Sequence, residues 1–373
     1  MWSNENVFIT IFNFKKLQFR YKDIGNFLSL IGLELFMGVK LGDLLPKKEI
    51  SFDDLKGKKI GIDFSNSCYQ FLSSIRQRDG TPLMDSNGRV TSHLVGIWSR
   101  FSNLMLRDVK LAAVFDGKPP ILKIATQEER EHKKRVAEGK LEKAREEEDY
   151  ESVSKYSKQV IRMNSDIVNE SKELLKAMGV PVIQAPSEAD AQLAFIAEKK
   201  DVDYVASSDA DILLYGAPKV ITNLTLSQRR KLPSGATVKI TPEVVELQDV
   251  LNNLGIDRDK LIAIAILVGT DYNKGVKGVG PKTALKLVKQ EDNFDKLFKE
   301  VKADFNWKKI YAIFKSMPVM KEYQLKWGKV DEDKIKEILI EEHDFGEERV
   351  NNILDKLKKK DKGKDQKGLG DFI

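Results

Sequence analysis

A chain of 373 residues that is 41% hydrophobic carries enough apolar side chain for a large core or two domains, which excludes wholesale disorder. Its 63 Lys and Arg against 57 Asp and Glu leave a net charge of +6, which permits a nucleic-acid partner without requiring one. One cysteine, Cys68, excludes an internal disulfide or a cysteine-rich zinc site, and His93, His132 and His343 lie far apart with no HExxH pattern, so catalysis must rest mainly on carboxylates, lysines and bound ions.

Residues 1–36 are rich in Phe, Ile and Leu. Lys15, Lys16, Arg20 and Lys22 precede an apolar run, but no small-residue cleavage site follows, against a secretory signal. No run is long enough to cross a bilayer. Better patterned sequence opens at Met37-Gly38-Val39, so residues 1–36 read as an extension upstream of a working start at Met37, with the core spanning 37–355.

Within that core, 58–63 reads as a short buried strand ending on an acid, and 111–116 repeats the theme before Gly117 and Pro119-Pro120. Further short apolar runs at 180–183, 203–206 and 220–222 alternate with helical patterns at 67–74, 168–178 and 188–199. Such alternation predicts an α/β fold with a mainly parallel sheet. The stretch 121–165 is dominated by charges of both signs and suits equally a solvated helix or a polar arch over a site. Beyond Leu261 the chain reads helix, glycine-rich turn 275–283, then helix 284–288. A last helical region ends near Leu357, and the Lys-rich tail 358–368 reads as disordered.

Asp63 and Asp116 end predicted strands, at the edge where open α/β sheets place their sites. Glu188 and Asp190 follow the third strand, Asp209 and Asp211 the fourth, and Asp271 closes the helix from Leu261. One such acid alone is more often a helix cap or turn residue. Seven at successive strand ends repel one another unless cations neutralise them. Oxygen donors without histidine or thiol suit Mg²⁺ or Mn²⁺, and two such ions about 4 Å apart serve phosphodiester hydrolysis.

The strings Val114-Phe115-Asp116-Gly117-Lys118-Pro119-Pro120, Pro186-Ser187-Glu188-Ala189-Asp190-Ala191, Ser208-Asp209-Ala210-Asp211 and Gly269-Thr270-Asp271-Tyr272 resemble the acidic motifs of flap endonucleases. Order and spacing agree from Met37 to Asp344-Phe345-Gly346-Glu347-Glu348-Arg349, and the compact chain resembles the archaeal members. The resemblance implies a PIN-like core, a helical arch and a helix–turn–helix-type DNA grip. It implies that Asp63, Asp116, Glu188, Asp190, Asp209, Asp211 and Asp271 hold two Mg²⁺ ions, replaceable by Mn²⁺, and that the chain cuts branched DNA with a 5′ flap in replication and repair. Asp190 departs from the usual Glu and matches the 5′ exonuclease branch of the superfamily instead.

The same resemblance assigns further roles. Lys123 and Arg130, seven apart and so on one face of a continuous helix, would reach the scissile phosphate from the arch. Without it they are solvated surface charges. Tyr69 aligns with an aromatic that stacks on the terminal base, and Gly38 with an N-terminal glycine near the DNA. The turn with Gly275, Gly278, Gly280 and Lys282 would grip duplex phosphates and hold a K⁺ ion on its carbonyls. It is no P-loop, because Pro281 intrudes and a helix precedes it. Gln366, Leu369 and Phe372 resemble a box that binds the sliding clamp (PCNA), with Ile373 where an aromatic is usual. A monomeric, intracellular, nucleoid-associated protein is expected. A 5′→3′ double-strand exonuclease and a catalytically silent junction binder are the rivals. The Gly117-Lys118-Pro119-Pro120 string and the clamp box oppose the first, and seven intact acids oppose the second.

Overall fold

The computed structural model describes residues 41, 44–77, 80–224, 229–231 and 237–370. In chain order the strands are β1 (Lys48–Glu49), β2 (Lys59–Asp63), β3 (Lys110–Phe115), β4 (Val182–Gln184), β5 (Tyr204–Ala206), β6 (Lys219–Thr222), β7 (Arg229–Lys231), β8 (Thr237–Lys239) and β9 (Glu243–Glu246). The helices are α1 (Phe64–Ser74), α2 (Ser92–Leu106), α3 (Ile124–Glu146), α4 (Tyr150–Gln159), α5 (Ser165–Ala177), α6 (Ala189–Glu198), α7 (Asp211–Leu214), α8 (Leu247–Leu254), α9 (Arg258–Val268), α10 (Pro281–Gln290), α11 (Phe294–Glu300), α12 (Trp307–Ser316), α13 (Glu332–Lys336) and α14 (Glu347–Gly370).

The main sheet has the order β1-β9-β6-β5-β2-β3-β4, and β7 pairs separately with β8. The five strands expected from sequence are β2 to β6, and all run parallel. The antiparallel edge made by β9 on β6 and β1 on β9 was not expected. A two-residue strand shows no periodicity, and Val244-Val245 in β9 reads equally as part of a helix.

Two buried clusters, one on each face, explain why the strand sequences are continuously apolar. Along β3, Leu111, Ala113 and Phe115 join the cluster that holds Leu72 of α1, Phe101 of α2 and Leu174 of α5. Val114 points the other way, with Leu193 of α6 and the wholly buried run from Leu261 to Leu267 in α9. The period of two thus fixes which helices cover which face.

The charged stretch forms a helical hairpin, α3 against α4, whose buried cluster among the described residues is Leu141, Ala144 and Val153, with Tyr156 and Val160 packed against it. Arg162 spans it by pairing with Glu131 at 2.5 Å and Glu138 at 3.2 Å. Both sequence readings therefore meet in one element, a solvated hairpin whose first turn reaches the site.

At the C-terminus, α14 continues through the stretch read as disordered, to Gly370. Lys358 pairs with Glu332 at 2.9 Å and Lys360 with Asp108 at 3.3 Å, so charges read as solvating the tail also anchor its helix. Two of the three scattered histidines meet: His93 Nε2 lies 3.0 Å from Glu170, and His343 Nδ1 lies 3.0 Å from Asp85. Burial pushes the His93 pKa down, and Glu170, which also lies 3.7 Å from His343 Nε2, ties α2 to the C-terminal segment.

Gly96 of α2 lies close against Phe71 of α1, where an added Cβ would stand 2.2 Å from the ring. We expect Gly96→Ala to cost about 1–3 kcal/mol, read as a lower urea midpoint. An unchanged midpoint would show that α1 can step aside.

Candidate active site

The C-terminal ends of β5, β2, β3 and β4 are neighbours in the sheet, and each leads into acids. Asp63 is the last residue of β2 and the N-cap of α1, accepting from the Asn66 N–H at 3.1 Å. Asp116 follows β3 and accepts from the Ala189 N–H at 2.7 Å, which fixes the start of α6 against the strand. Glu188 is the N-cap of α6 with extended backbone, and Asp190 sits in its first turn. Asp209 accepts from the Asp211 N–H at 3.0 Å, and Asp211 opens α7. Asp271 follows α9 through Gly269, whose φ of +118° turns the chain back. The bland reading of single acids as caps and turn residues is therefore correct for several of them, and the cap geometry is what delivers them to one place.

Their charges act on one another. Burial, then the Asp116 charge, raises the Asp63 pKa to about 7. Burial followed by Asp63, Asp209, Asp116 and Asp211 pushes Asp190 well up. Asp209 is raised by burial and then by Asp211 and Asp271. Glu188 is raised by burial despite Lys123 beside it.

Two hairpin cations partly offset this charge. Lys123 Nζ contacts Glu188 and lies 3.4 Å from Asp271, while Arg130 Nη2 lies 2.6 Å from Asp271. Burial opposes the Lys123 charge, but Glu188 and Asp271 outweigh it and hold its pKa above the ordinary value. The Thr126 hydroxyl donates to the Asp271 carbonyl at 2.8 Å. The two cations expected on one helix face are thus both at the acids.

Convergence on an ion is a separate matter. Among the described residues no three such side chains are grouped as ligands of one ion. Glu188 and Asp271 are turned to hairpin cations, and Asp63, Asp116 and Asp209 to backbone N–H groups. The donor set still fits a hard divalent cation. All donors are oxygens, and Asp190 Oδ1 is buried with no hydrogen-bond partner, an arrangement that is costly without a cation.

Around the acids, Tyr69 on α1 is partly buried, and Lys134 Nζ of α3 stands 5.8 Å from its ring centroid. Gly275 has φ +73°, and a Cβ there would meet the Val268 carbonyl at 2.2 Å, so the turn requires glycine. Gly278, at φ +83°, also needs glycine, Gly280 caps α10 with Pro281 at its first turn, and Lys282 is exposed. Gly38, Phe372 and Ile373 lie outside the described residues, as do the side chains of Gln366 and Leu369.

Asn66 was missed from sequence. Its N–H holds Asp63, and its Oδ1 accepts from Ser208 at 2.9 Å, which joins the β2 and β5 acid loops. Tyr272 was also passed over, although it adjoins Asp271. Its hydroxyl pairs with that of Tyr215 at 2.8 Å. Position next to a motif acid was the available signal for Tyr272, and none linked residue 66 to 208.

A carboxylate cluster on the C-terminal edge of a parallel sheet, met by Lys123 and Arg130 at the foot of a charged hairpin, defines a metal-dependent nuclease. Residues 37–137 match the XPG N-terminal domain and residues 179–271 the XPG I-region. Flap endonuclease 1 of Thermococcus onnurineus is 51% identical over 329 residues, which are 87% of this chain and 95% of that protein. That of Pyrococcus horikoshii is 49% identical, over 87% and 94%. The solved flap endonuclease-1 from Methanococcus jannaschii superposes with a TM-score of 0.68 at 43% identity, covering 86% of this chain and 98% of that one. The catalytic core of Rad2 in complex with DNA substrate shares the fold, at a TM-score of 0.63 and 23% identity. The chain belongs to the flap endonuclease 1 family.

The raised acids carry a sign that can be measured. Asp63 binds its proton more tightly folded, at about 7, than unfolded, at 3.8. Stability from this group is full below the unfolded value and is lost as pH rises through the folded one. In EDTA the melting temperature should fall between pH 5 and pH 8, and Mg²⁺ should flatten that slope. A melting temperature in EDTA that rises over this range would contradict the electrostatic account.

Proposed function

We propose that this flap endonuclease cuts the 5′-flapped strand near the single-strand to double-strand junction, using two Mg²⁺ ions, replaceable by Mn²⁺, held by Asp63, Asp116, Glu188, Asp190, Asp209, Asp211 and Asp271. The observation that carries the assignment is the gathering of these acids at one sheet edge, where burial and neighbouring carboxylates raise Asp63, Asp190 and Asp209 and a buried Asp190 oxygen has no hydrogen-bond partner. Bound Mg²⁺ supplies an acidified water and neutralises charge on the leaving oxygen. The chain's own groups do the positioning. Lys123 and Arg130 offer an ammonium and a guanidinium beside the acids, where an anionic phosphodiester would replace the carboxylates as their partner. Tyr69 presents a ring for the terminal base. The Gly275–Gly280 turn and the start of α10 offer backbone N–H groups to duplex phosphates, and the turn carbonyls are the candidate place for a K⁺ ion.

Recruitment is a second part of the proposal. Gln366, Leu369 and Phe372 keep the spacing of a sliding-clamp (PCNA) box, and Ile373 supplies less area than an aromatic. Residues 1–36 precede the matched family region, which opens at residue 37, and we assign them no role in catalysis.

Two experiments separate chemistry from recruitment. With Mg²⁺, a labelled 5′ flap should be cut near its junction while nicked and blunt duplexes react more slowly, and EDTA should abolish all three. Asp209→Asn should lower turnover at least about 100-fold with DNA binding retained, about 2.7 kcal/mol of transition-state stabilisation. Wild-type rates in Asp209→Asn would sink the carboxylate assignment, and preferential digestion of blunt duplex would favour the exonuclease reading. Deleting residues 366–373 should leave cleavage of a free flap unchanged and abolish stimulation by the cognate clamp. Undiminished stimulation would show that the box is a coincidence.

A further inference from the structure

Lys123 and Arg130 are bound to the very carboxylates assigned to metal. Lys123 reaches Glu188 and Asp271, and Arg130 reaches Asp271. The same face of α3 carries Thr126, bonded to the Asp271 carbonyl, and Lys134 over Tyr69. Lys274 pairs with Glu129 at 3.4 Å and adds a further polar contact between the hairpin and the segment after α9. The hairpin's apolar cluster, by contrast, is internal to α3 and α4. Apart from Leu122, which packs on the main core, its contacts with the acids are polar, and two of them use oxygens that a divalent ion needs.

We infer that Lys123 and Arg130 serve in the DNA-free protein as resident counter-cations, so that the docked hairpin and divalent metal compete for Glu188 and Asp271. This rests on the metal-site reading given above. A metal at Glu188 withdraws the oxygens that Lys123 uses and sets a double positive charge beside its ammonium. Binding of the ion thus weakens hairpin docking, and by linkage docking weakens the ion by the same factor. A substrate phosphate ends the competition, because it gives both side chains a new anionic partner and frees the acids for metal. Metal and DNA then favour one another: the ion alone loosens the docked hairpin, and the phosphate gives its released cations a new partner.

The consequence is opposite to a simple loss of function. A variant lacking the Lys123 charge should cleave more slowly yet bind metal more tightly without DNA. The test is calorimetric titration of Mn²⁺ into the full DNA-free chain, wild type against Lys123→Gln and Arg130→Gln, with hydrogen exchange read across residues 124–146. We expect Mn²⁺ affinity to rise about fivefold or more in Lys123→Gln. In the wild type, Mn²⁺ should speed exchange in α3, whereas in Lys123→Gln exchange should be fast already and respond little. Arg162→Gln, which alters the hairpin away from the acids, should keep wild-type affinity. Equal or weaker Mn²⁺ binding in both Lys123→Gln and Arg130→Gln, or slower α3 exchange on adding Mn²⁺ to the wild type, would overturn the inference. An absence of Mn²⁺ binding in every protein would instead remove the metal-site reading beneath it.

Discussion

Repulsion among seven carboxylates is the constraint on which the rest of this structure depends. A fold that gathers so much negative charge at one edge must supply compensation or leave the acids protonated. Compensation here comes in layers. Backbone N–H groups of Asn66, Ala189 and Asp211 hold Asp63, Asp116 and Asp209, and the starts of α1 and α6 add their dipoles. Lys123 and Arg130 then cover Glu188 and Asp271. What remains is Asp190, raised by burial and its acidic neighbours, with Oδ1 buried and without a hydrogen-bond partner.

Sheet topology explains why the charges meet at all. β2 lies between β5 and β3, and β4 pairs with β3, so four successive chain segments release their acids side by side. The apolar clusters on both faces make this placement rigid. Leu111, Ala113 and Phe115 bind β3 to one set of helices while Val114 binds it to the other, and a shift of one residue would exchange them. The hairpin is held differently, with little apolar area of its own. Acids set on a buried sheet beneath a polar hairpin suit a nuclease that acts on DNA.

Much of this was legible in the residues. Short apolar runs ending on acids foretold β2 to β6 and the sheet edge at which Asp63, Asp116 and Asp209 appear, because strand period and buried parallel pairing leave a direct mark on sequence. The pairing of Arg130 with Asp271, 141 residues apart, left none, nor did the link from Asn66 to Ser208 across 142 residues. Long-range polar contacts depend on where helices come to rest, which local pattern does not encode. The antiparallel edge was invisible because β1 is too short for a period. The Lys-rich stretch after Leu357 looked like solvated tail, since nothing local shows that Glu332 and Asp108 stand ready to pair with Lys358 and Lys360.

The central claim is that the carboxylate edge is a site for divalent ions, with Asp190 as a member in spite of its shorter side chain. Counting bound Mn²⁺ by electron paramagnetic resonance at increasing ion concentration tests it most directly. The account predicts two ions per wild-type chain bound to saturation, and fewer in Asp190→Asn at the same free concentration. A wild-type chain that binds none, or an Asp190→Asn chain that binds both ions as tightly as the wild type, would contradict it.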